Sequence, residues 1–199
     1  MPIEYGNRLK LKICLVGDGA VGKTSLVRKF LFDEFSDKYL TTIGTKISKK
    51  EMKIPGSEGG YDTEIDMAIW DIMGQHGFRR LLQEAYFFGV DGIIAVCDLT
   101  REETVKGLQD WLERVQEIAG TVPVVAAANK NDLQTSITVK EPDLKELMEK
   151  YNAEIVFTSA KTGENVEDLF DYLAKTIVEH RKAMKAQQKV PSRAVAEES

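Results

Sequence analysis

A glycine-rich octapeptide is the segment of this sequence that most directly suggests chemistry. It runs from Gly17 to Thr24, reads Gly-Asp-Gly-Ala-Val-Gly-Lys-Thr, and fits the phosphate-loop pattern G-x-x-x-x-G-K-[ST]. Glycines let successive backbone N–H groups converge on a phosphate, and a helix predicted from Lys23 to about Phe32 would add the positive end of its dipole. Lys23 would bridge the terminal phosphates, and the Thr24 hydroxyl would bind Mg²⁺. The pattern predicts a nucleoside triphosphate site, but alone it leaves open a kinase, an ATPase or a GTPase.

A second motif indicates which base is bound. Asn129-Lys130-Asn131-Asp132 follows an apolar run that extends from Val122 to Ala128. The Asp132 carboxylate could accept from the N1–H and the exocyclic amine of guanine, whereas adenine presents an acceptor at N1. Ser159-Ala160-Lys161 follows the next predicted strand and would form a further loop at the base. Because ligands of such sheets bind at the carboxyl ends of the strands, these motifs predict a guanine nucleotide along that edge.

The segment from Trp70 to Gln75 supplies candidates for metal binding and water activation. Asp71, at a strand end, could hold Mg²⁺ through water, and Gly74 could bring its N–H against a γ-phosphate. Gln75 could orient a water for in-line attack, because its amide both donates and accepts. Thr42, upstream in a polar loop, could reach Mg²⁺ only while the γ-phosphate orders that loop. We therefore predict Thr24, Thr42 and Asp71 as metal ligands, and Gln75, Lys23 and Gly19 as catalytic residues.

Short apolar runs that alternate with amphipathic segments must position these motifs. Residues 9–16, 92–97 and 122–128 are typical of strands covered on both faces, and residues 155–157 form a shorter candidate. Apolar residues recur at helical spacing after a capping box formed by Thr100 and Glu103, after Pro142, and after Asn165. Each of these segments is predicted to be a helix. Residues 46–53 and 61–70 have no helix between them, which predicts an antiparallel hairpin. The expected fold class is α/β, a P-loop NTPase three-layer fold with a six-stranded, mostly parallel sheet and one antiparallel edge strand.

Composition narrows the partners and the compartment. The 199 residues include 27 Lys and Arg against 32 Asp and Glu, and this net charge of −5 argues against general nucleic-acid binding. No apolar run approaches the ~20 residues of a membrane span. Cys14 and Cys97 lie unpaired in apolar runs, which predicts a reducing, cytoplasmic compartment. We expect one domain over residues 1–180, followed at 181–199 by a helix end and a disordered tail whose basic residues give at most weak membrane contact.

In these motifs and their order, the sequence resembles the small GTPases of the Ras superfamily. The segment from Gly74 to Ile94 is most similar to the Rab-like branch, and the resemblance covers about Lys10 to Ile177. It implies GTP or GDP with Mg²⁺ as cofactors, and a monomer. It also implies effector, activating and exchange proteins that bind the segments from Leu31 to Thr45 and from Gly74 to Leu82.

The same resemblance implies a set of nucleotide contacts. Phe35 matches the aromatic residue that stacks edge-on against guanine, and Tyr39 the one that closes over the γ-phosphate. The contacts implied or predicted from the motifs are Gly17, Gly19, Ala20, Val21, Gly22, Lys23, Thr24, Ser25, Phe35, Tyr39, Thr42, Gly74, Asn129, Lys130, Asp132, Ser159, Ala160 and Lys161.

Several positions depart from the family pattern. Rab-like proteins usually end in cysteines for prenylation, and this sequence has none after Cys97, so we expect no lipid anchor. His76 stands where the family usually has an acidic residue that helps exchange factors, and Met73 stands where it usually has a small alanine. The turn from Pro55 to Gly60 lengthens the predicted hairpin.

Two other functions remain open from the sequence. One is a GTP-dependent scaffold or binding module with little hydrolysis, which the presence of Gln75 and Gly19 disfavours. The other is a nucleoside or nucleotide kinase, which would need an arginine-rich lid that the sequence does not contain. Because the segment from Leu31 to Thr45 contains no arginine, intrinsic hydrolysis should be slow until a partner supplies one.

Overall fold

Six strands form one sheet in the computed structural model, which describes residues 8–36, 42–56, 62–74 and 84–188. The strand order is β2-β3-β1-β4-β5-β6, and all neighbours are parallel except β2 and β3. The prediction of a mostly parallel sheet with one antiparallel edge strand is confirmed. The strands are β1 Arg8–Val16, β2 Thr45–Ile54, β3 Thr63–Ile72, β4 Gly92–Asp98, β5 Val124–Asn129 and β6 Glu154–Thr158.

The predicted hairpin lies at the edge of this sheet. β2 pairs with β3 from Thr45 opposite Ile72 to Ile54 opposite Thr63. The connection is too short for the crossover of a dozen or more residues that parallel strands require, so the two strands run antiparallel. Of the predicted turn from Pro55 to Gly60, residues 57–60 lie outside the described residues.

Within the described ranges, the main helices that cover the two faces of the sheet are α1 Lys23–Phe32, α2 Glu103–Ala119, α3 Glu141–Glu149 and α4 Val166–Gln188. Alternate residues of the central strands enter two separate cores; in β1, Ile13 and Leu15 face α1 and α4, whereas Cys14 and Val16 face α2 and α3. This two-sided burial explains why the strands are near-continuous apolar runs. The three-layer fold is confirmed.

The start of α2 differs from the predicted capping box. This helix begins at Glu103, and no side chain among the described residues caps its start. The Thr100 hydroxyl instead donates to Oδ1 of Asp98 at 2.7 Å. Asp98 is fully buried, and an ionised carboxylate out of water must be surrounded by donors, so it takes the hydroxyl that the sequence assigned to the helix. The capping-box prediction is wrong for this reason.

The carboxyl-terminal helix extends to Gln188, which lies beyond the predicted domain boundary at residue 180. The predicted tail from residue 189 is outside the described residues. Within the part of the chain that the structure describes, no helix is both long and apolar enough to cross a membrane.

Candidate nucleotide-binding site

A cavity of about 490 Å³ opens at the carboxyl ends of the parallel strands, where the motifs were expected to meet. It is lined by the loop after β1, the end of β3, and the loops after β5 and β6. The predicted contact residues that line it are Gly19, Ala20, Gly22, Lys23, Thr24, Ser25, Phe35, Thr42, Gly74, Asn129, Lys130, Asp132, Ala160 and Lys161. Residues from six separate stretches of sequence therefore line one volume, which is of the size usual for small-ligand sites.

One end of the cavity is formed by the glycine-rich loop and the start of α1. Lys23 is buried, and its Nζ donates to the carbonyl oxygens of Gly17 at 2.8 Å and Asp18 at 2.7 Å. In the described chain, the first turn of α1 has neither a side-chain cap nor an acidic residue. Its backbone N–H groups therefore remain available to an anion, which the helix dipole also favours.

Gly22 explains why this loop needs glycine before the helix. Its φ is +102°, and a Cβ there would lie 2.2 Å from Nδ2 of Asn129. A side chain at this position would separate the phosphate loop from the loop that follows β5. Gly17 and Val21, also predicted as contacts, do not line the cavity. The Gly17 carbonyl accepts from Lys23, and Val21 is buried in the core.

The three predicted metal ligands converge beside the phosphate loop. The Thr24 hydroxyl donates to Oδ2 of Asp71 at 2.5 Å and lies 2.9 Å from the Thr42 hydroxyl. Asp71 is buried, and its Oδ1 has no hydrogen-bond partner among the described residues. Gly74 also packs directly against the phosphate loop, since a Cβ there would stand 2.4 Å from the Asp18 carbonyl oxygen. The end of β3 and the phosphate loop thus form one wall.

The chemistry of this cluster fits Mg²⁺. Burial raises the pKa of Asp71, although the Thr24 hydroxyl and the charges of Lys23 and Lys46 oppose that shift. A buried carboxylate with an unpartnered oxygen is costly, and a bound cation would offset that cost. Hydroxyl and carboxylate oxygens are the hard donors that Mg²⁺ prefers, and Mg²⁺ sites usually combine one or two carboxylates with water and substrate phosphates. Thr24, Thr42 and Asp71 could therefore hold it.

The other end of the cavity is joined by side-chain hydrogen bonds. Asn129 donates from Nδ2 to the Val21 carbonyl at 2.9 Å, and its Oδ1 accepts from the Ala160 N–H at 3.1 Å. The Ser159 hydroxyl donates to Oδ1 of Asp132 at 2.6 Å. Asn129 thus ties three loops together, and Ser159 orients the carboxylate. Ser159 itself is buried behind Asp132 and does not line the cavity.

Lys130 and Phe35 approach the same end from different sides. Lys130 has a φ of +69°, a conformation rare for a residue with a side chain, and its Nζ donates to Oδ2 of Asp98 at 2.5 Å. Phe35 is 38% exposed and lines the cavity. Glu34, which precedes Phe35, is held by Arg28 of α1 at 3.1 Å. Lys130 and Phe35 both line the cavity, so both could contact a base bound there.

The cavity also has lining residues that the motifs did not include. Leu133 directly follows Asp132, and Lys46 lies opposite Asp71 in the hairpin register, so adjacency and strand pairing could have identified both. The full set of such residues is Arg28, Ser36, Lys46, Ile72, Met73 and Leu133. Met73 was noted only as a departure from the family pattern. Two predicted residues, Tyr39 and Gln75, lie outside the described residues, so their roles stay predictions.

The fold and this site define a P-loop nucleotide-binding protein of the α/β class, and comparison with known proteins narrows that class. A family model described as the Ras family matches residues 12–179. Ras-related protein Rab-21 of Geodia cydonium is 36% identical over 172 residues, covering 86% of this chain and 72% of the relative. Ras-related protein Rab-13 of Rattus norvegicus is 32% identical over 168 residues, covering 84% and 79%. Ras-related protein SEC4 of Saccharomyces cerevisiae is 33% identical over 170 residues, covering 85% and 75%.

The chain belongs to the Ras family, with its relatives in the Rab-like branch, as the motifs predicted. Family membership makes it a GTP-binding regulatory protein of the GTPase class.

Proposed function

We propose that this protein is a molecular switch that binds GTP with Mg²⁺ and hydrolyses it to GDP and phosphate. The proposal rests on one observation: one end of the cavity has groups suited to a guanine base, and the other end has groups suited to phosphates and a divalent cation. Asp132, oriented by Ser159, is an acceptor suited to the adjacent donors of guanine. Lys23 and the Thr24–Asp71 pair, at the other end, suit a phosphate chain with a divalent cation. A guanine nucleotide carries both groups in one molecule.

The residues of this chain would divide the work by position. Lys23 and the N–H groups at the start of α1 would stabilise negative charge on the terminal phosphates, and Gly74 would bring its N–H against the γ-phosphate. Thr24, Thr42 and Asp71 would hold Mg²⁺, which would supply further charge neutralisation when bound. Gln75 orients the attacking water, accepting a hydrogen bond from it through the amide oxygen.

The proposed regulation follows from what the segment from Leu31 to Thr45 lacks. It contains no arginine, so intrinsic turnover is slow, and an activating protein that supplies one would accelerate hydrolysis by roughly 10³–10⁵. Effectors and exchange proteins would bind this segment and the one from Gly74 to Leu82. We further propose that residues 1–180 form the domain and that the protein acts as a cytoplasmic monomer.

The test is a phosphate-release assay on purified protein loaded with GTP. We expect single-turnover release of phosphate that stops when EDTA removes Mg²⁺, with GDP as the retained product. Lys23→Ala should bind neither nucleotide, and Lys145→Ala, which removes an exposed lysine from α3, should behave as wild type.

Other outcomes would identify another function. GTP that stays bound for hours without phosphate release would favour the scaffold over the enzyme. Transfer of phosphate to a nucleoside or nucleotide would favour the kinase. Absence of any guanine-nucleotide binding would refute the proposal altogether.

A further inference from the structure

A buried carboxylate behind the cavity connects its two ends. Oδ2 of Asp98, the last residue of β4, accepts from Nζ of Lys130 at 2.5 Å and from Nε of Arg101 at 2.9 Å. Its Oδ1 accepts from the hydroxyl and the N–H of Thr100. Burial raises the pKa of Asp98, but these donors outweigh burial and hold the pKa below its usual range. Asp98 is thus a stable anion that anchors two cations.

Arg101 extends this network to the phosphate loop. While Nε binds Asp98, Nη2 donates to the carbonyl oxygen of Gly19 at 3.0 Å. Arg101 is not among the residues that line the cavity, so it reaches the loop from outside the nucleotide volume. The planar guanidinium makes both contacts at once, a geometry that a lysine ammonium cannot reproduce.

The contact with Gly19 constrains the next residue. The peptide bonds of the described chain are trans, so the Gly19 carbonyl and the Ala20 N–H point in opposite directions. An outward carbonyl therefore turns the Ala20 N–H toward the cavity, which Ala20 lines. Ala20 also has a φ of +62°, a left-handed conformation that is unfavourable for a residue with a Cβ. Such a conformation persists only when its surroundings hold it.

We propose that Arg101 is a positioning residue for the phosphate loop, which holds the Gly19–Ala20 peptide so that the Ala20 N–H faces a bound phosphate. Its anchor, Asp98, also holds Lys130 at the base end, so the two ends of the cavity share one buried carboxylate. Loss of Arg101 should loosen the phosphate end and leave the Lys130 contact in place. This inference rests on the proposed binding of a guanine nucleotide.

The experiment compares Arg101→Ala and Arg101→Lys with a matched control. Lys106→Ala removes one positive charge from an exposed position in the first turns of α2. Each variant is loaded with fluorescent GDP, and dissociation is followed after addition of excess unlabelled GDP. Phosphorus-31 NMR of bound unlabelled GDP then reports directly on the environment of the β-phosphate.

We expect Arg101→Ala to release GDP about ten times faster than wild type and to move the β-phosphorus resonance. Arg101→Lys should lie between the two, and Lys106→Ala should match wild type in both measurements. Dissociation from Arg101→Ala within twofold of Lys106→Ala would overturn the inference. So would faster dissociation with an unmoved β-phosphorus resonance, since Arg101 would then act only through general stability.

Two further results separate the possible failures. If wild-type protein binds no GDP, the proposed function fails; if it binds GDP and Arg101→Ala behaves like wild type, only this inference fails. Should Arg101→Ala not fold by circular dichroism, Arg101→Gln, which keeps much of the length, undergoes the same two measurements with the same criteria.

Discussion

The two ends of the cavity differ in how far the protein itself satisfies their polar groups. At the base end, both amide atoms of Asn129 are bonded to backbone, and the Ser159 hydroxyl holds Asp132. At the metal end, Oδ1 of Asp71 has no partner among the described residues. Ile43, next to Thr42, is 90% exposed. The base end is therefore built before ligand arrives, whereas the metal end is completed by what binds there.

The sheet explains this difference. Asn129 ends β5, which is buried along its whole length, and the Ser159 loop follows its parallel neighbour β6. Thr42 instead precedes β2, which is half exposed and, among the described strands, forms the edge of the sheet beside β3. A preorganised end costs little ordering when it binds and so gives affinity and specificity. An end that must be ordered by its ligand can report which ligand is present.

The largest expected effect lies at the base end. Asp132→Asn keeps the size of the side chain but places an NH₂ donor against the exocyclic amine of guanine, leaving buried donors unmatched. The binding free energy of GTP should weaken by several kcal/mol, because two buried donors are left without an acceptor. Xanthosine triphosphate should then bind better than GTP. Competition binding of the two nucleotides measures this, with Asp143→Asn, at an exposed position of α3, as the control. A variant that still prefers GTP would show that Asp132 does not read the base.

At the metal end, Asp71→Asn should alter the requirement for Mg²⁺ more than the affinity for the base. The substitution keeps the shape but removes the negative charge that would attract the ion. Mg²⁺ is expected to slow the dissociation of bound GDP. We expect the Mg²⁺ concentration that gives half of this effect to rise by about 10–100-fold in the variant. As the control, Glu64→Gln removes a charge near the start of β3, at the other end of the strand from Asp71, and should leave that concentration unchanged. An unaltered Mg²⁺ titration in Asp71→Asn would remove Asp71 from the metal site.

Gln75→Leu tests the hydrolytic step of the proposed switch. Leucine has a similar volume but neither donates nor accepts, so water is no longer oriented. GTP should bind with similar affinity, while single-turnover hydrolysis falls by ~10-fold or more, about 1.4 kcal/mol of barrier. Comparison of binding and turnover on the same preparation separates the two effects. Unchanged turnover would assign the water to another group, with His76 the neighbouring candidate.

The smallest effect, and the most direct test of the comparison, is a change in backbone protection. A GTP analogue should increase hydrogen-exchange protection of residues 31–45 and 74–82 relative to GDP, because Thr42 and Gly74 approach the γ-phosphate side. Residues 129–132 and 159–161 should be protected equally in both states, since their contacts are already made by the protein. If each of the four segments is equally protected with GDP and with the GTP analogue, the protein is not a switch. A change confined to residues 129–132 and 159–161 would mean that the base end, and not the metal end, responds to the nucleotide.

The motifs could be located from sequence because each is local. The octapeptide from Gly17 to Thr24 and the tetrapeptide from Asn129 to Asp132 carry their spacing within a few residues, and apolar runs mark the strands before them. The same local reasoning failed at Thr100, which looked like a helix cap. Asp98 competes for its hydroxyl, and only the burial of that carboxylate decides the competition.

The sequence by itself determined the order of strands and helices, the antiparallel hairpin and most residues of the candidate site, because alternation, helical period and motif spacing act over short distances along the chain. Tertiary structure decided which side chains hold those residues in place. The Asn129–Val21 contact spans 108 residues, and the Arg101–Gly19 contact spans 82. No local pattern encodes such a pair, since each exists only because the sheet brings the carboxyl ends of β1, β4 and β5 side by side, where a buried polar group must find a partner.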